Sequence, residues 1–384
     1  MGTHETDDAV QAARPSWVEF DLEALAHNYR TLRAHIGPEP HIIAALKANA
    51  YGHGAVPVAR CLARYDVHSL ATGSVEDALA IRNAGIERPI LMFGGALPQD
   101  MHALVRHGLT PTVYNLAGAE AVSRAATERT AVYVKVDAGL GRLGVPLPDA
   151  LDFIRHLRTL DKLVLEGVYT HLSFHDAAGR DWSRARLAGF DELLEALDAA
   201  GIEVPITQAI ASSGLLCGLP SRANAVCPGH LLYGVSPVAD DVAAIDPYRP
   251  VLKAIKSRLI HVGPIKAGMR DAGPQAPRRV GVIPLGLVDG YRPISARSAA
   301  CALIAGRRVA IKAVSLEHIS LDLSDLDQAE IGDEVVLLGA SGGETITLAD
   351  IAHWQGTRPH HVLMAFDRRL RARYLGEANG PDVA

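Results

Sequence analysis

Lys47 follows a short apolar run and begins the stretch KANAYGHG, which also contains Tyr51, a histidine and two glycines. A lysine at the end of a strand is most often a solvated charge, and glycines in such a stretch usually form turns. A lysine that is partly removed from water has a lowered pKa, and its neutral amine can then form a Schiff base with a carbonyl. Lys47 is therefore either a strand-end charge or a nucleophile.

Further polar residues follow other apolar runs. They are Lys135 and Arg142 in VKVDAGLGRLG, His171 at the end of LEGVYTHL, Ser212 and Ser213 after PITQAIA, and Cys227, Gly229 and His230 in CPGH. Each has an ordinary structural explanation, such as a core histidine at position 171. Together, the hydroxyls and glycine-rich turns suit a phosphate. A phosphate pocket beside an imine-forming lysine is what pyridoxal phosphate requires.

These residues need elements that bring them to one place. Segments with helix periodicity separate most of eight apolar runs, and in one of them Leu187, Phe190, Leu194 and Leu197 share a helix face. The runs are HIIAAL (41–46), HSLAT (68–72), PILMF (89–93), LTPTVY (109–114), TAVYVKV (130–136), LEGVYTHL (165–172), PITQAIA (205–211) and AVCPG (225–229). Eight strands that alternate with helices predict a (β/α)8 barrel, whose active site lies at the carboxyl ends of its strands.

The character of the sequence changes after YGVSP (233–237). Short runs such as RRVGVIPLGL, HISLDLSDL and EVVLLGA follow, and turn residues separate them. This pattern predicts a second, mostly β domain. The predicted organisation is a disordered tail over 1–14, the barrel over 15–248 and the β-rich domain over 249–384. The first residues after the tail could pair with the second domain.

Composition narrows the possible partners. The 384 residues carry a net charge of −5, which argues against nucleic acid, because phosphate neutralisation needs a basic face. No apolar run reaches the length of about 20 residues that a membrane span requires. The four cysteines are scattered without zinc-site spacing, so we expect no metal and a reduced, cytoplasmic protein.

The motif KANAYGHG resembles the cofactor-lysine motif of the alanine racemases, which are fold type III pyridoxal-phosphate enzymes. The similarity extends from RPSWVEFDLEALAHNYR (14–30) through VKVDAGLGRLG, CPGHLLYGVSP and VDGYRP to SLEHISLDLSD. The resemblance implies pyridoxal 5'-phosphate as cofactor and a small amino acid as substrate. It also implies a β-barrel C-terminal domain and a homodimer whose active sites include residues of both chains.

The resemblance also implies roles for individual residues. Lys47 binds the cofactor covalently and acts as acid and base on one face of the substrate. Arg142 contacts the cofactor's phenolic oxygen and the substrate carboxylate, and Lys135 matches a lysine that is carbamylated in many family members. His171 lies against the pyridine ring. The residues implied for the phosphate are Tyr51, Ser212, Gly229 and the backbone of His230.

At several positions the chain departs from the family pattern. The second acid/base of the family is the first tyrosine of GYADGY, and here GLVDGY has Leu287 at that position. Cys227 replaces the arginine that faces the pyridine nitrogen. Leu316, followed by Glu317, takes the place of a Met-Asp pair that helps to hold the substrate carboxylate, and Arg368 aligns with a tyrosine of the substrate entrance.

Two of these departures bear on the chemistry. Leucine cannot transfer a proton, so a second base has to come from elsewhere, and Tyr291, Asp289 and His230 are the candidates nearby in sequence. The loss of the arginine removes a positive charge that opposes protonation of the pyridine nitrogen, and Cys227 either exploits this or is a small apolar filler.

Three functions follow from these residues. The first is racemisation at the α-carbon of alanine or a related or larger amino acid. The alternative is a lyase, aldolase or dehydratase that uses one base on a D-amino acid. The third is a cofactor-carrying protein with little activity, like small single-domain barrels of the same fold. The predicted second domain counts against the third.

Overall fold

The computed structural model describes residues 15–94, 97–239, 241–266, 278–294, 299–366 and 369–376. Arg368, which we expect near the substrate entrance, lies outside the described residues. The chain forms two compact units: one runs from Ala24 to Pro250, and the other combines the segment before Ala24 with the segment from Val251 onward. Our predicted boundary between residues 248 and 249 lies two residues before the observed one.

The first unit contains parallel strands and helices. The first strand of the chain, β1 (Trp17–Asp21), belongs to the other unit. The strands of the first unit are β2 (His41–Ala45), β3 (Ser69–Thr72), β4 (Ile90–Met92), β5 (Thr112–Val113), β6 (Thr130–Asp137), β7 (Val145–Pro146), β8 (Leu163–Leu172), β9 (Ile206–Ala211) and β10 (Ala225–Cys227).

Nine helices accompany these strands within the described part of the chain. They are α1 (Leu22–Ile36), α2 (Lys47–Tyr51), α3 (Ala55–Ala63), α4 (Val75–Asn83), α5 (Met101–Arg106), α6 (Leu116–Ala125), α7 (Ala150–Leu157), α8 (Ala177–Ala199) and α9 (Ser212–Leu216). The predicted face of α8 is buried at all four positions, which are Leu187, Phe190, Leu194 and Leu197.

Eight parallel strands form the predicted barrel, in the order β4-β3-β2-β10-β9-β8-β6-β5. An isolated parallel bridge between Leu91 and Thr110 joins the two ends. The Met92 amide donates to the Thr110 carbonyl at 2.9 Å, and the Thr110 amide donates to the Ile90 carbonyl at 2.8 Å. Most residues on both faces of these strands are buried, which explains why the runs are mostly apolar rather than strictly alternating.

Side chains from seven of the eight barrel strands pack into one buried cluster. Its members are Ile43, Ala71, Leu91, Tyr133, Tyr169, Ile206 and Ala225, and Phe93 and Cys227 pack against it. A Cβ atom at Gly167 would overlap the Tyr133 ring, so this strand position requires glycine. The Tyr169 hydroxyl lies 3.2 Å from the Thr112 hydroxyl, which satisfies both groups inside the apolar cluster.

The second unit is mostly β, as predicted. After β1 its strands are β11 (Leu252–Arg258), β12 (His261–Pro264), β13 (Arg279–Ile283), β14 (Cys301–Ile304), β15 (Arg307–Val314), β16 (Ile319–Asp322), β17 (Glu334–Ser341), β18 (Glu344–Ile346) and β19 (Arg371–Leu375). The sheet order is β12-β13-β16-β15-β14-β17-β11-β1-β19, and β18 pairs with β17. Two short helices follow β18, α10 (Leu348–Trp354) and α11 (Pro359–Leu363).

Trp17 anchors β1 between its two neighbours in this sheet. β1 runs antiparallel to β11 and parallel to β19. The Trp17 ring is 3% exposed. The guanidinium carbon of Arg373 lies 4.2 Å from the ring centroid and that of Arg258 lies 5.6 Å away, so one cation from each neighbouring strand contacts the ring. The indole nitrogen donates to Glu19 Oε1 at 2.7 Å.

We expect Trp17→Ala to lower the free energy of unfolding by about 3–5 kcal/mol, because a large buried ring is removed. Urea unfolding followed by circular dichroism measures this. Trp17→Phe keeps an aromatic ring and loses the indole N–H, so it should cost clearly less. Equal losses for the two variants would mean that the bond to Glu19, and not burial of the ring, holds the strand.

Two general features of the described residues complete the fold. In the part of the chain that the structure describes, no helix is both long and apolar enough to span a membrane. Within the same ranges, no group of three or more histidine, cysteine, aspartate or glutamate side chains is arranged to hold a metal ion.

Candidate active site

Lys47 is the first residue of α2 and lies directly beyond the carboxyl end of β2. The preceding residue is fixed by the neighbouring strand, because the Leu46 amide donates to the Ala71 carbonyl at 2.7 Å. The Lys47 amine lies 5.8 Å from the ring centroids of both Tyr51 and Phe93. Burial lowers the pKa of Lys47; Cys227 opposes this shift and the positive charge of Arg142 adds to it. A larger fraction of this amine is therefore neutral than for an ordinary lysine.

The backbone after Lys47 forms one turn of left-handed helix. Ala48, Asn49, Ala50 and Tyr51 have φ values of 52°, 55°, 54° and 54°. This conformation costs about 1–2 kcal/mol for each L residue. Hydrogen bonds from outside the turn hold it: the Asn49 amide donates to Asp77 Oδ2 at 2.8 Å, and the Ala55 amide donates to Asn49 Oδ1 at 2.8 Å.

A cradle of hydroxyl and N–H groups lies beyond β9 and β10. Ser212 Oγ accepts hydrogen bonds from the Gly229 amide at 2.9 Å and from the Leu231 amide at 3.3 Å. Ser212 and Gly229 are buried. A Cβ atom at Gly229 would overlap the Tyr51 hydroxyl, so only glycine allows the tyrosine this close. The two hydroxyls are the kind of donors that bind a phosphate, and the two amides hold Ser212 Oγ in place by donating to it.

Two aromatic contacts fix the position of Tyr51. Its ring centroid lies 4.8 Å from that of Tyr233, in a tilted arrangement, and 5.3 Å from that of His230, edge to face. The Tyr233 hydroxyl donates to the Ala45 carbonyl at 3.0 Å, so Tyr233 is tied to the end of β2. Tyr233 also stacks on His53, with ring centroids 4.7 Å apart. Burial lowers the pKa of His53 to about 4, although hydrogen bonds with the backbone oppose the shift, so this ring is neutral at pH 7.

Lys135 and Arg142 belong to β6 and the loop that follows it. Lys135 is 6% exposed, and its amine lies 5.6 Å from the Tyr169 ring centroid. Burial, together with the positive charges of Arg142 and Lys47, lowers the pKa of Lys135 to about 8, and the Asp137 carboxylate opposes this shift. The Asp137 carboxylate shapes the loop, because it accepts from the amides of Gly139 at 2.8 Å and of Arg142 at 3.0 Å.

His171 lies at the end of β8. Burial, and after it the nearby groups Lys47, Lys135, Arg142 and His230 in decreasing order, lower the pKa of His171 to about 3. Its imidazole is therefore neutral, and four groups predicted for the site from distant parts of the chain act on it. The excess of cations at this end of the barrel favours an anionic ligand.

Cys227 is the last residue of β10 and is half-buried. It packs against the apolar cluster together with Phe93. Burial raises the pKa of its thiol to about 11, and Lys47 opposes the shift. The side chain is thus an uncharged thiol, where an arginine would carry a full positive charge. Its two possible roles, on the cofactor or as a filler, both stay predictions.

The predicted residues of the second unit divide into exposed and buried ones. Leu287 is 37% exposed and Leu316 is 63% exposed. Backbone hydrogen bonds join their segments, since the Leu287 amide donates to the Ser315 carbonyl at 3.0 Å. Asp289 and Tyr291 are both fully buried within this unit, and Asp289 Oδ2 accepts from the Gly286 amide at 3.0 Å. Their roles as bases stay predictions.

The carboxyl ends of the barrel strands carry most of the predicted set. These residues are Lys47, Tyr51, Lys135, Arg142, His171, Ser212, Cys227, Gly229 and His230. Sequence reasoning missed the residues that support them, namely Asn49, His53, Asp77, Phe93, Tyr169 and Tyr233. All of these except Asp77 lie in segments quoted in the sequence analysis, and Asp77 carries no signal beyond that of an acidic residue in the first turn of a helix.

Comparison with known proteins gives a consistent result along the chain. The family model described as alanine racemase, N-terminal domain, matches residues 20–237, and the one described as alanine racemase, C-terminal domain, matches residues 254–374. The alanine racemase of Syntrophobacter fumaroxidans is 35% identical over 376 residues, which cover 95% of this chain and 99% of that protein.

A second relative is the alanine racemase of Halothermothrix orenii, which is 29% identical over 96% of this chain and 98% of its own. Among solved structures, an alanine racemase of Clostridium difficile is similar with a TM-score of 0.86 at 27% identity, over 94% of this chain and 96% of that one. The same enzyme in complex with cycloserine gives a TM-score of 0.84.

Proposed function

Because the chain belongs to the alanine racemase family, we propose that it is a pyridoxal-phosphate-dependent racemase acting at the α-carbon of an amino acid. Alanine or a related or larger amino acid is the proposed substrate. One observation carries this proposal: a buried amine with a lowered pKa, that of Lys47, lies next to a phosphate-type cradle. Tyr51 connects the two, because its ring lies 5.8 Å from the amine and its hydroxyl touches Gly229.

The residues at this end of the barrel fit pyridoxal phosphate. The Tyr51 and Ser212 hydroxyls and the Gly229 amide would hold its phosphate, and the Lys47 amine would hold it covalently. His171, neutral because of burial and nearby cations, would lie against its ring. When bound, the cofactor supplies an electron sink that stabilises negative charge at the substrate α-carbon.

The chain itself supplies orientation and proton transfer. Lys47 removes or returns the α-proton on one face, since its lowered pKa makes a neutral amine available as a base. Arg142 binds the substrate carboxylate, and the carboxylate of Asp137 fixes the backbone on which this arginine stands. Lys135 adds positive charge beside Arg142 as long as it is not carbamylated.

The proposal leaves open which residue transfers a proton on the face of the substrate opposite Lys47. Family members use a tyrosine from the partner chain there, so we propose a homodimer in which Leu287 and Leu316 of one chain border the site of the other. Both side chains are exposed on their own unit. A racemase of this kind then needs a substitute base, and Tyr291, Asp289 and His230 remain the candidates.

A second candidate function is favoured by Leu287. With one base only, the same site would carry out lyase, aldolase or dehydratase chemistry on a D-amino acid. The third possibility, a cofactor carrier with little activity, is opposed by the match of residues 254–374 to the C-terminal domain of a racemase family. Cys217, Cys227 and Cys301 form no disulfide bond in the described part of the chain, which supports a reducing compartment, and we propose the cytoplasm.

Incubation with D- and L-amino acids in D2O distinguishes these functions. For a racemase we expect deuterium at the α-carbon and interconversion of both enantiomers, measured by NMR and chiral chromatography. Exchange or cleavage of a single enantiomer would replace the racemase proposal with the lyase. Tyr291→Phe, Asp289→Asn and His230→Ala then identify the second base, which is the residue whose replacement slows interconversion but not exchange on the Lys47 face.

A further inference from the structure

The left-handed turn Ala48–Tyr51 is exceptional within this chain. Among the described residues, Ala305 is the only other non-glycine residue with a positive φ. The turn has internal hydrogen bonds, from the Ala50 amide to the Leu46 carbonyl at 3.1 Å and from the Gly52 amide to the Ala48 carbonyl at 3.0 Å. A right-handed helix forms bonds of the same spacing. The internal bonds therefore do not select the left-handed form.

Contacts from outside the turn do select it. Asp77 is 5% exposed, and its Oδ2 accepts the Asn49 amide at 2.8 Å. Asp77 is itself held in the first turn of α4, where its own amide donates to Ser74 Oγ at 3.0 Å. On the other side of Asn49, the side-chain oxygen accepts the amide of Ala55, the first residue of α3. Asparagine is also among the residues that tolerate this backbone region best.

The handedness of the turn determines the directions in which the Lys47 and Tyr51 side chains point. Lys47 precedes the turn and Tyr51 ends it, so its dihedral angles set the direction from the amine to the hydroxyl that touches Gly229. A relaxation toward the right-handed form would change that direction. The turn itself contains no glycine.

We propose that Asp77, which lies outside the motif, is a positioning residue that keeps this turn left-handed and thereby holds Lys47 and Tyr51 in register. Asn49 links Asp77 to α3, because its backbone amide donates to Asp77 and its side-chain oxygen accepts from the Ala55 amide. The effect on the cofactor rests on the function proposed above, whereas the effect on the turn does not.

The test starts from protein without cofactor. In Asp77→Ala we expect the amides of residues 48–54 to exchange with deuterium about tenfold faster or more, which corresponds to the loss of a buried hydrogen bond to a carboxylate. Asp77→Asn keeps an acceptor oxygen and should lie between wild type and the alanine variant. Asp191→Asn is the matched control, since Asp191 accepts from Ser221 and the Arg222 amide elsewhere in the barrel.

Affinity for pyridoxal phosphate gives the second readout. We expect its Kd to rise about tenfold in Asp77→Ala and to stay within twofold in the control. Ala48→Gly should then restore part of the affinity, because glycine adopts positive φ at little cost and the Ala48 side chain is exposed. A general loosening of α4 would not respond to a glycine at position 48.

Two results would overturn the proposal. One is unchanged exchange of residues 48–54 in Asp77→Ala, and the other is faster exchange that Ala48→Gly leaves unaltered. Faster exchange that is reversed by Ala48→Gly supports the proposal even in a protein that does not bind the cofactor, and in that case only the proposed function fails.

Discussion

Replacing Lys47 with alanine removes the covalent attachment of pyridoxal phosphate and lowers turnover by about ten-thousandfold or more, as expected for a residue that is both nucleophile and base. The buried amine next to Tyr51 and Phe93 is the group on which the proposed chemistry depends. The visible absorption of the purified protein measures attachment, and chiral chromatography of D- and L-alanine measures turnover.

The matched control for this variant is Lys162→Ala. Lys162 also bonds within the barrel unit, where its amine donates to the Ala126 carbonyl at 2.7 Å, but it precedes β8 and lies away from the candidate site. We expect full absorption and turnover in this variant. If the absorption persisted in Lys47→Ala, the cofactor would be attached to another amine. Lys135, whose pKa is lowered to about 8, is then the residue to replace next.

The second large effect concerns the opposite face of the substrate. We expect Leu287→Tyr to raise the rate of interconversion by about 10²–10⁴-fold, the usual contribution of a positioned general acid or base. At 37% exposure, Leu287 stands on a short turn at the surface of its unit, where a phenol can be added without repacking a core.

Leu287→Phe separates the chemistry of the hydroxyl from the size of the ring. Both variants should be equally stable, and only the tyrosine should accelerate the conversion of one enantiomer into the other. Equal rates for the two would mean either that residue 287 does not reach a substrate or that another group already fills the role. Exchange of the α-proton on the Lys47 face should be similar in all three proteins.

The sequence was sufficient to predict the barrel and to group most of the candidate site residues at the carboxyl ends of its strands. Parallel strands covered on both faces need apolar residues on both faces, and the run HIIAA before Lys47 and most of the run LVLEGVYTHL, which ends at Leu172, have this character. Since the carboxyl ends of such strands meet, residues far apart in the chain could be grouped before their positions were known. The buried face of α8 followed from its period in the same way.

The support of the site could not be predicted from the same patterns. The residues ANAY are compatible with an ordinary turn or with the start of a helix. Hydrophobic periodicity does not indicate whether a single turn is left-handed or right-handed. Asp77 reads as a favourable charge in the first turn of a helix. Its bond to Asn49 depends on how two successive loops approach, which is tertiary information. Tyr233 belongs to the quoted segment CPGHLLYGVSP, but its ring contact with Tyr51 is likewise tertiary information.

The pairing of β1 sets the order in which the second unit can form during synthesis. Trp17 pairs with Lys256 on one side and with Arg371 on the other. At about 5–20 residues per second, a ribosome needs roughly 20–70 s to reach β19 after it has made β1. β11, the first of its two neighbours to be made, begins just after Pro250, so WVEFD has neither pairing partner until all residues of the barrel unit have been synthesised. The second unit can therefore be completed only after the barrel unit has been made, since β1 lies between β11 and β19 in its sheet.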